Sequence, residues 1–148
     1  MALYHRYGCA SGWKQMDYRY KRTITDFDLE LLNREIESFC AGNKQLSSGL
    51  FTIQLVIEEL VTNIIKYGSR AVKEESIEVR LRIGNGKVIL TISDDTEAFN
   101  PLEAEEPDVT LPVEERKIGG LGLFLIRKKV QSITYEYMNG LNIMEVVF

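Results

Sequence analysis

The stretch SIEVRLRIGNGKVILTISDD, residues 76–95, constrains the fold more than any other. Ile77, Val79, Leu81 and Ile83 alternate with Glu78, Arg80 and Arg82, and Val88, Leu90 and Ile92 resume the alternation beyond Asn85-Gly86. A period of two places the apolar side chains on one face of a strand. Asn-Gly suits a two-residue hairpin turn, because both of its positions take positive φ. The C-terminal SITYEYMNGLNIMEVVF has the same pattern, turned at Asn139-Gly140. Two hairpins with apolar faces are not stable in water on their own, so a second layer must cover them.

The intervening segments read as helices. In TITDFDLELLNREIESFC, Thr25 and Asp28 resemble a capping box, Leu32, Ile36 and Phe39 recur at helical spacing, and Gly42-Asn43 is a plausible stop. A second helix is expected to open after Ser47-Ser48-Gly49. Its stripe is Leu50, Ile53, Ile57, Leu60 and Ile64, and Gly68 ends it. Tyr18 to Ile24 alternate aromatic and basic residues as a half-exposed strand does, and a third helix of roughly ten residues follows Gly119, Gly120 and Gly122. Between them, Thr96 to Lys117 hold all three prolines and many acids, as a lid or binding loop would. The order β-α-α-β-β-(lid)-α-β-β predicts an α+β fold: a two-layer sandwich of a mixed, mainly antiparallel sheet with helices on one face. Residues 18–148 form one domain, preceded by a lead-in, 1–17, that is either variable or an extra strand.

Composition narrows the function classes. A net charge of −4 with interleaved signs gives no basic stripe for nucleic acid. Cys9 and Cys40 form no disulfide framework, which suits reduced thiols in a cytoplasmic protein. No run approaches the roughly 18 apolar residues of a membrane span, and the N-terminus lacks a signal-peptide core. The single histidine, His5, lies in the lead-in, so a histidine-dependent nucleophilic site is not expected, and no Cys/His metal cluster is present.

Three polar clusters interrupt the apolar pattern, each with two readings. In EELVTN, Glu59 and Asn63 are four residues apart on one helix face. They can offer oxygens to a hydrated Mg²⁺, or they can join Glu58 in a solvated face. In SDDTEAFNP, Asp94 at a strand end can accept a hydrogen bond from an exocyclic amine, or the segment is an ordinary turn. In IGGLGLFLIRKKV, the glycines before a helix are either a hinge or an anion site, with Arg116 and Lys117 adding positive charge. Neither a Walker loop nor a dinucleotide fingerprint is present.

Taken in order, the three clusters resemble the N, G1 and G2 boxes of the histidine-kinase-like ATPase superfamily, the Bergerat fold. The stand-alone bacterial anti-sigma factor/serine-protein kinase family is the nearest likeness. VIEELVTNIIKYG, DDTEAFNPL and GGLGLFLIRKKV carry the resemblance, which spans Tyr18 to Phe148. It implies ATP and Mg²⁺ as cofactors, with Asn63 on the metal, Glu59 as the general base and Asp94 on the adenine amine. Gly119, Gly120 and Gly122 would lie against the phosphates, Leu121, Lys117 and Thr96 would complete the ATP site, and residues 103–117 would be the ATP lid. It implies phosphorylation of a serine on a STAS-domain anti-anti-sigma partner, sequestration of a sigma factor, and a possible homodimer, with no direct nucleic-acid or membrane contact. Thr96 stands where the family's G1 box usually has glycine, which opens an alternative: a non-catalytic partner-switching module with weak or lost nucleotide binding.

Overall fold

The computed structural model describes residues 3–8, 14–68, 74–84, 86–103 and 121–148. Their elements are β1 (Leu3–Gly8), β2 (Lys14–Thr23), α1 (Leu29–Cys40), α2 (Lys44–Tyr67), β3 (Ser76–Gly84), β4 (Lys87–Asp94), α3 (Leu121–Lys129), β5 (Ser132–Met138) and β6 (Leu141–Val147). Single 3₁₀ turns lie at Ile24–Asp26 and Pro101–Glu103. The strands form one sheet in the order β1-β2-β3-β4-β6-β5.

The α+β fold is the one expected, but the sheet is antiparallel in every ladder rather than mixed. Topology explains the difference. The α3 crossover delivers β5 in the same direction as β4, and the tight turn after β5 then slides β6 between the two. The parallel relation exists in direction without forming a ladder. The lead-in supplies β1 on the outer edge of β2, so the extra-strand alternative is the one realised.

Two helix starts differ from expectation. Thr25 lies in the 3₁₀ turn, and the cap of α1 is Asp28, whose Oδ1 accepts from the Leu31 amide at 2.8 Å. Helix α2 begins at Lys44, before Ser47-Ser48-Gly49. Asn43 Oδ1 accepts from the Leu46 amide at 3.3 Å, and this cap outweighs the breaker-like composition that follows.

The core lies between the helices and one sheet face. Tyr18, Tyr20, Ile77, Val79, Leu81, Leu90, Ile92, Met144 and Val146 meet Leu32, Ile36, Ile53, Val56, Ile57, Leu60, Val61 and Ile126. The expected α2 stripe is buried at Ile53, Ile57 and Leu60 and partly buried at Leu50 and Ile64. Residues Leu46–Tyr67 reach a mean hydropathy of 1.3 over a length that could cross a membrane. Here the apolar side of that helix is spent on the sheet. Burial also pushes the Cys40 thiol up to about 11, which keeps it protonated and unreactive at neutral pH.

The opposite sheet face is charged. Arg19 and Arg80 stand directly across from one another, and diagonal ion pairs relieve that repulsion. Arg80 donates from Nε to Asp17 at 3.0 Å, and Arg19 reaches Glu78 at 3.5 Å. The hydrogen bond from Arg80 holds the Asp17 carboxyl below its ordinary value of 3.8. A lowered carboxylate value stabilises the fold above the ordinary value, and that stability is lost as pH falls through the folded one. Asp17→Asn is therefore expected to cost about 1 kcal/mol at pH 7. In urea titrations across pH, the difference from the parent should shrink once pH drops below 3.8.

Candidate functional site

A pocket opens where the apolar register of the sheet runs out. In β4, Val88, Leu90 and Ile92 face the helices, and the next inward position is Asp94. In β6, Val146 and Met144 face inward and are followed, toward the turn, by Asn142. Asp94 and Asn142 are register partners. Both are buried, exposed by only 5% and 4%. With Leu60, Asn63, Ile64, Thr96 and Phe99 they line a pocket of about 420 Å³, part of it open to solvent. It has the character of a small-ligand site: concave, mainly apolar, with a few polar groups converging.

The three clusters resolve differently. On α2, Glu58 is exposed, whereas Glu59 and Asn63 are partly buried and Asn63 lines the pocket. The solvated-face reading thus holds for Glu58 and fails for Asn63. In SDDTEAFNP the residues divide between a pocket wall and a turn. Asp94 faces the pocket, while Asp95 accepts from the Ser76 amide at 2.6 Å and fastens the start of β3. Asn100 makes the turn, its Oδ1 accepting from the Leu102 amide at 3.0 Å. In the glycine cluster, Leu121 opens α3, whereas Lys117, Gly119 and Gly120 lie outside the described residues, as does the lid reading for 104–117.

Gly122 was expected to face phosphates, and its nearest side chain is the Glu59 carboxylate. A Cβ at position 122 would fall on that carboxylate, so the glycine lets the first turn of α3 close over Glu59. Gly68 plays a comparable part at the end of α2. A Cβ there would stand 2.6 Å from the Ile64 carbonyl oxygen and 2.9 Å from the Thr96 Cγ2.

Thr96 is bound into the pocket wall. Its amide donates to Asp94 Oδ1 at 3.1 Å, and its hydroxyl donates to the same oxygen. Asn142 Nδ2 adds a third donor at 2.9 Å. Asn142 Oδ1 accepts from Tyr135 Oη at 2.7 Å and from the Phe99 amide at 3.0 Å. Burial lifts the Tyr135 phenol above its ordinary value of 10.0, and the Asp94 charge adds to this, so the hydroxyl remains a donor at neutral pH. Asn142 and Tyr135 were missed in the sequence. The available signal was a lone asparagine at an inward position of an otherwise apolar strand. Among the described residues no group of three or more His, Cys, Asp or Glu side chains could hold a metal.

The two glycines are expected to respond differently to substitution. Gly68→Ala meets backbone and should cost about 2 kcal/mol, lowering Tm by roughly 4–8 °C. Gly122→Ala meets only the end of a flexible side chain. It should cost less than about 1 kcal/mol in thermal melts, while a crystal structure of the variant shows Glu59 displaced.

Comparison with known proteins agrees with this geometry. Residues 23–148 match the family described as Histidine kinase-like ATPase domain. The serine/threonine-protein kinase BtrW of Bordetella bronchiseptica is 28% identical over 92 residues, covering 62% of this chain and 65% of that protein. The serine-protein kinase RsbW of Listeria monocytogenes is 28% identical over 97 residues, covering 62% of this chain and 61% of that protein, and RsbW of Listeria innocua is 27% identical over the same length. The matched stretch thus spans less than two thirds of these relatives. The family match covers strands β3 to β6, all three helices and every described pocket residue, and the chain belongs to the histidine kinase-like ATPase domain family.

Proposed function

We propose that this chain binds ATP with Mg²⁺ and acts as a serine/threonine protein kinase of the anti-sigma-factor type, on a STAS-domain anti-anti-sigma partner and with a sigma factor as its second ligand. One observation carries the reading: Asn63 and Asp94 line the same pocket, and Glu59 stands one helical turn from Asn63 at its α3 end. The acid that suits a purine amine and the Asn63 oxygen that suits a phosphate-bound cation thus border one cavity, with the Glu59 carboxylate one helical turn from Asn63 and beside Gly122. The names of the relatives, all serine or serine/threonine kinases, support the reaction class. The partner reading rests on the three boxes quoted above.

The residues present fit a magnesium ion. A carboxamide oxygen from Asn63 with the Glu59 carboxylate nearby is a sparse, hard donor set, of the kind that leaves most positions to phosphate and water. When bound, the ion would supply neutralisation of phosphate charge. The chain's own part is positioning. Glu59 takes the proton of the acceptor hydroxyl as its oxygen forms a bond to the γ-phosphorus and the bond to the leaving ADP oxygen breaks. Closure of α3 over Glu59, which Gly122 permits, keeps that carboxylate at the phosphate end. Thr96 does not favour the non-catalytic alternative. Its hydroxyl is engaged by Asp94 and its methyl lies beside Gly68, so it lines the cavity without filling it.

Incubation with γ-labelled ATP, Mg²⁺ and STAS-domain proteins tests the proposal. Label should move to a partner serine with the parent protein. Glu59→Ala should lower that transfer by about 10²–10⁴-fold while retaining nucleotide affinity. Asn63→Ala should lose Mg-ATP binding in calorimetry with an unchanged circular dichroism spectrum. Stable partner binding without any label transfer would instead establish the sequestering module.

A further inference from the structure

Asp94 does not meet the pocket alone. Three donors converge on its Oδ1: the Thr96 amide, the Thr96 hydroxyl and Asn142 Nδ2. Among the described residues Oδ2 receives none. We propose that Asn142, braced by Tyr135 and the Phe99 amide, is the positioning residue for base recognition, holding Asp94 so that Oδ2 is presented to a purine bearing an exocyclic amine. This rests on the nucleotide-binding reading above and assigns a residue that reading does not use.

The orientation of Asn142 follows from its neighbours. A backbone amide can only donate, so the Asn142 atom facing Phe99 N at 3.0 Å must be the carbonyl oxygen. The Tyr135 hydroxyl at 2.7 Å takes the second acceptor position of that oxygen. The NH₂ group must then point the other way, where its two hydrogens meet Asp94 Oδ1 at 2.9 Å and the Glu97 carbonyl at 3.0 Å. All four hydrogen-bonding positions of the amide are filled, inside a site where leaving one empty is costly. Turning the Asp94 carboxylate would break three hydrogen bonds at once. A side chain that merely packed β6 would need none of this directionality, and the inward alternation of β6 would be served by valine or isoleucine.

Asn142 also holds a second segment of the pocket. Through Glu97 O and Phe99 N it draws the 97–99 segment toward the acid, and Phe99, which lines the cavity, is half-exposed at its mouth. One amide therefore sets both the direction of the acceptor and the place of the 97–99 segment beside it.

A ligand-by-variant cycle separates this role from simple support of the fold. Affinities for ADP and for purine riboside 5′-diphosphate, which lacks the amine, are measured by calorimetry in the parent, Asn142→Ala and Tyr135→Phe. The parent is expected to prefer ADP by about tenfold, the worth of one hydrogen bond to a charged acceptor. That preference should fall below about twofold in Asn142→Ala and to an intermediate value in Tyr135→Phe. Variants that weaken both nucleotides equally, leaving the preference intact, would overturn the assignment. Should Asn142→Ala fail to fold, Tyr135→Phe decides alone by the same criterion. A parent that binds both nucleotides equally also refutes the role, whereas a parent that binds neither removes the nucleotide-binding reading itself.

Discussion

The packing of α2 on the middle of the sheet is the contact on which everything else depends. Ile53, Val56, Ile57, Leu60 and Val61 are all buried there, against strands whose inward positions are almost uniformly branched and apolar. Each such side chain contributes about 2 kcal/mol on burial, so together they rival the whole net stability of a domain. That contact is what brings one end of a 24-residue helix to the open end of β4 and β6. Asn63 reaches the cavity because Leu60 and Ile57, one and two turns earlier, have no other place to go.

The polar residues of the pocket occupy places where the apolar register stops. Asp94 and Asn142 continue the inward alternation of β4 and β6 beyond the last hydrophobic pair, and because the two strands are neighbours they arrive opposite one another. Neither is tolerable singly: a buried carboxylate without donors, or a buried amide without partners, costs more than its packing returns. Together with Thr96 and Tyr135 they satisfy each other and leave one acceptor oxygen over. Thr96 takes a place usually left to glycine, and Gly68 supplies the room its methyl requires.

Much of this was legible in the sequence, and the reasons differ by element. Both hairpins could be read because Asn-Gly turns and period-two alternation are local signals. So could the inward stripe of α2, the place of Asn63 on that helix and the place of Asp94 at the end of a strand. The start of α2 was misread because Ser-Ser-Gly looks like a breaker, whereas the Asn43 cap prevails over it. The all-antiparallel sheet could not be read, since it depends on β6 inserting beside β4, a choice made by packing. Asn142 escaped because its meaning lies in Asp94, 48 residues away in the chain. The closeness of Gly122 to Glu59 was not legible either, since it is a contact between two helices far apart in the chain.

The turn between β5 and β6 has a consequence beyond joining two strands. Asn139 and Gly140 both hold positive φ, 53° and 77°, which locks the pairing of Met138 with Leu141; Asn142, the next residue, stands opposite Asp94. Because side chains alternate with a period of two, sliding β6 by a single residue would turn Asn142 outward and bring Leu141 or Ile143 to the acid. The same slip would carry Met144 and Val146 to the outer face and Glu145 into the core, so the cavity and the packing beneath the helices would be lost together. Those two turn residues therefore act as the gauge of the pocket: they line no part of it, yet they decide which side chain stands beside Asp94.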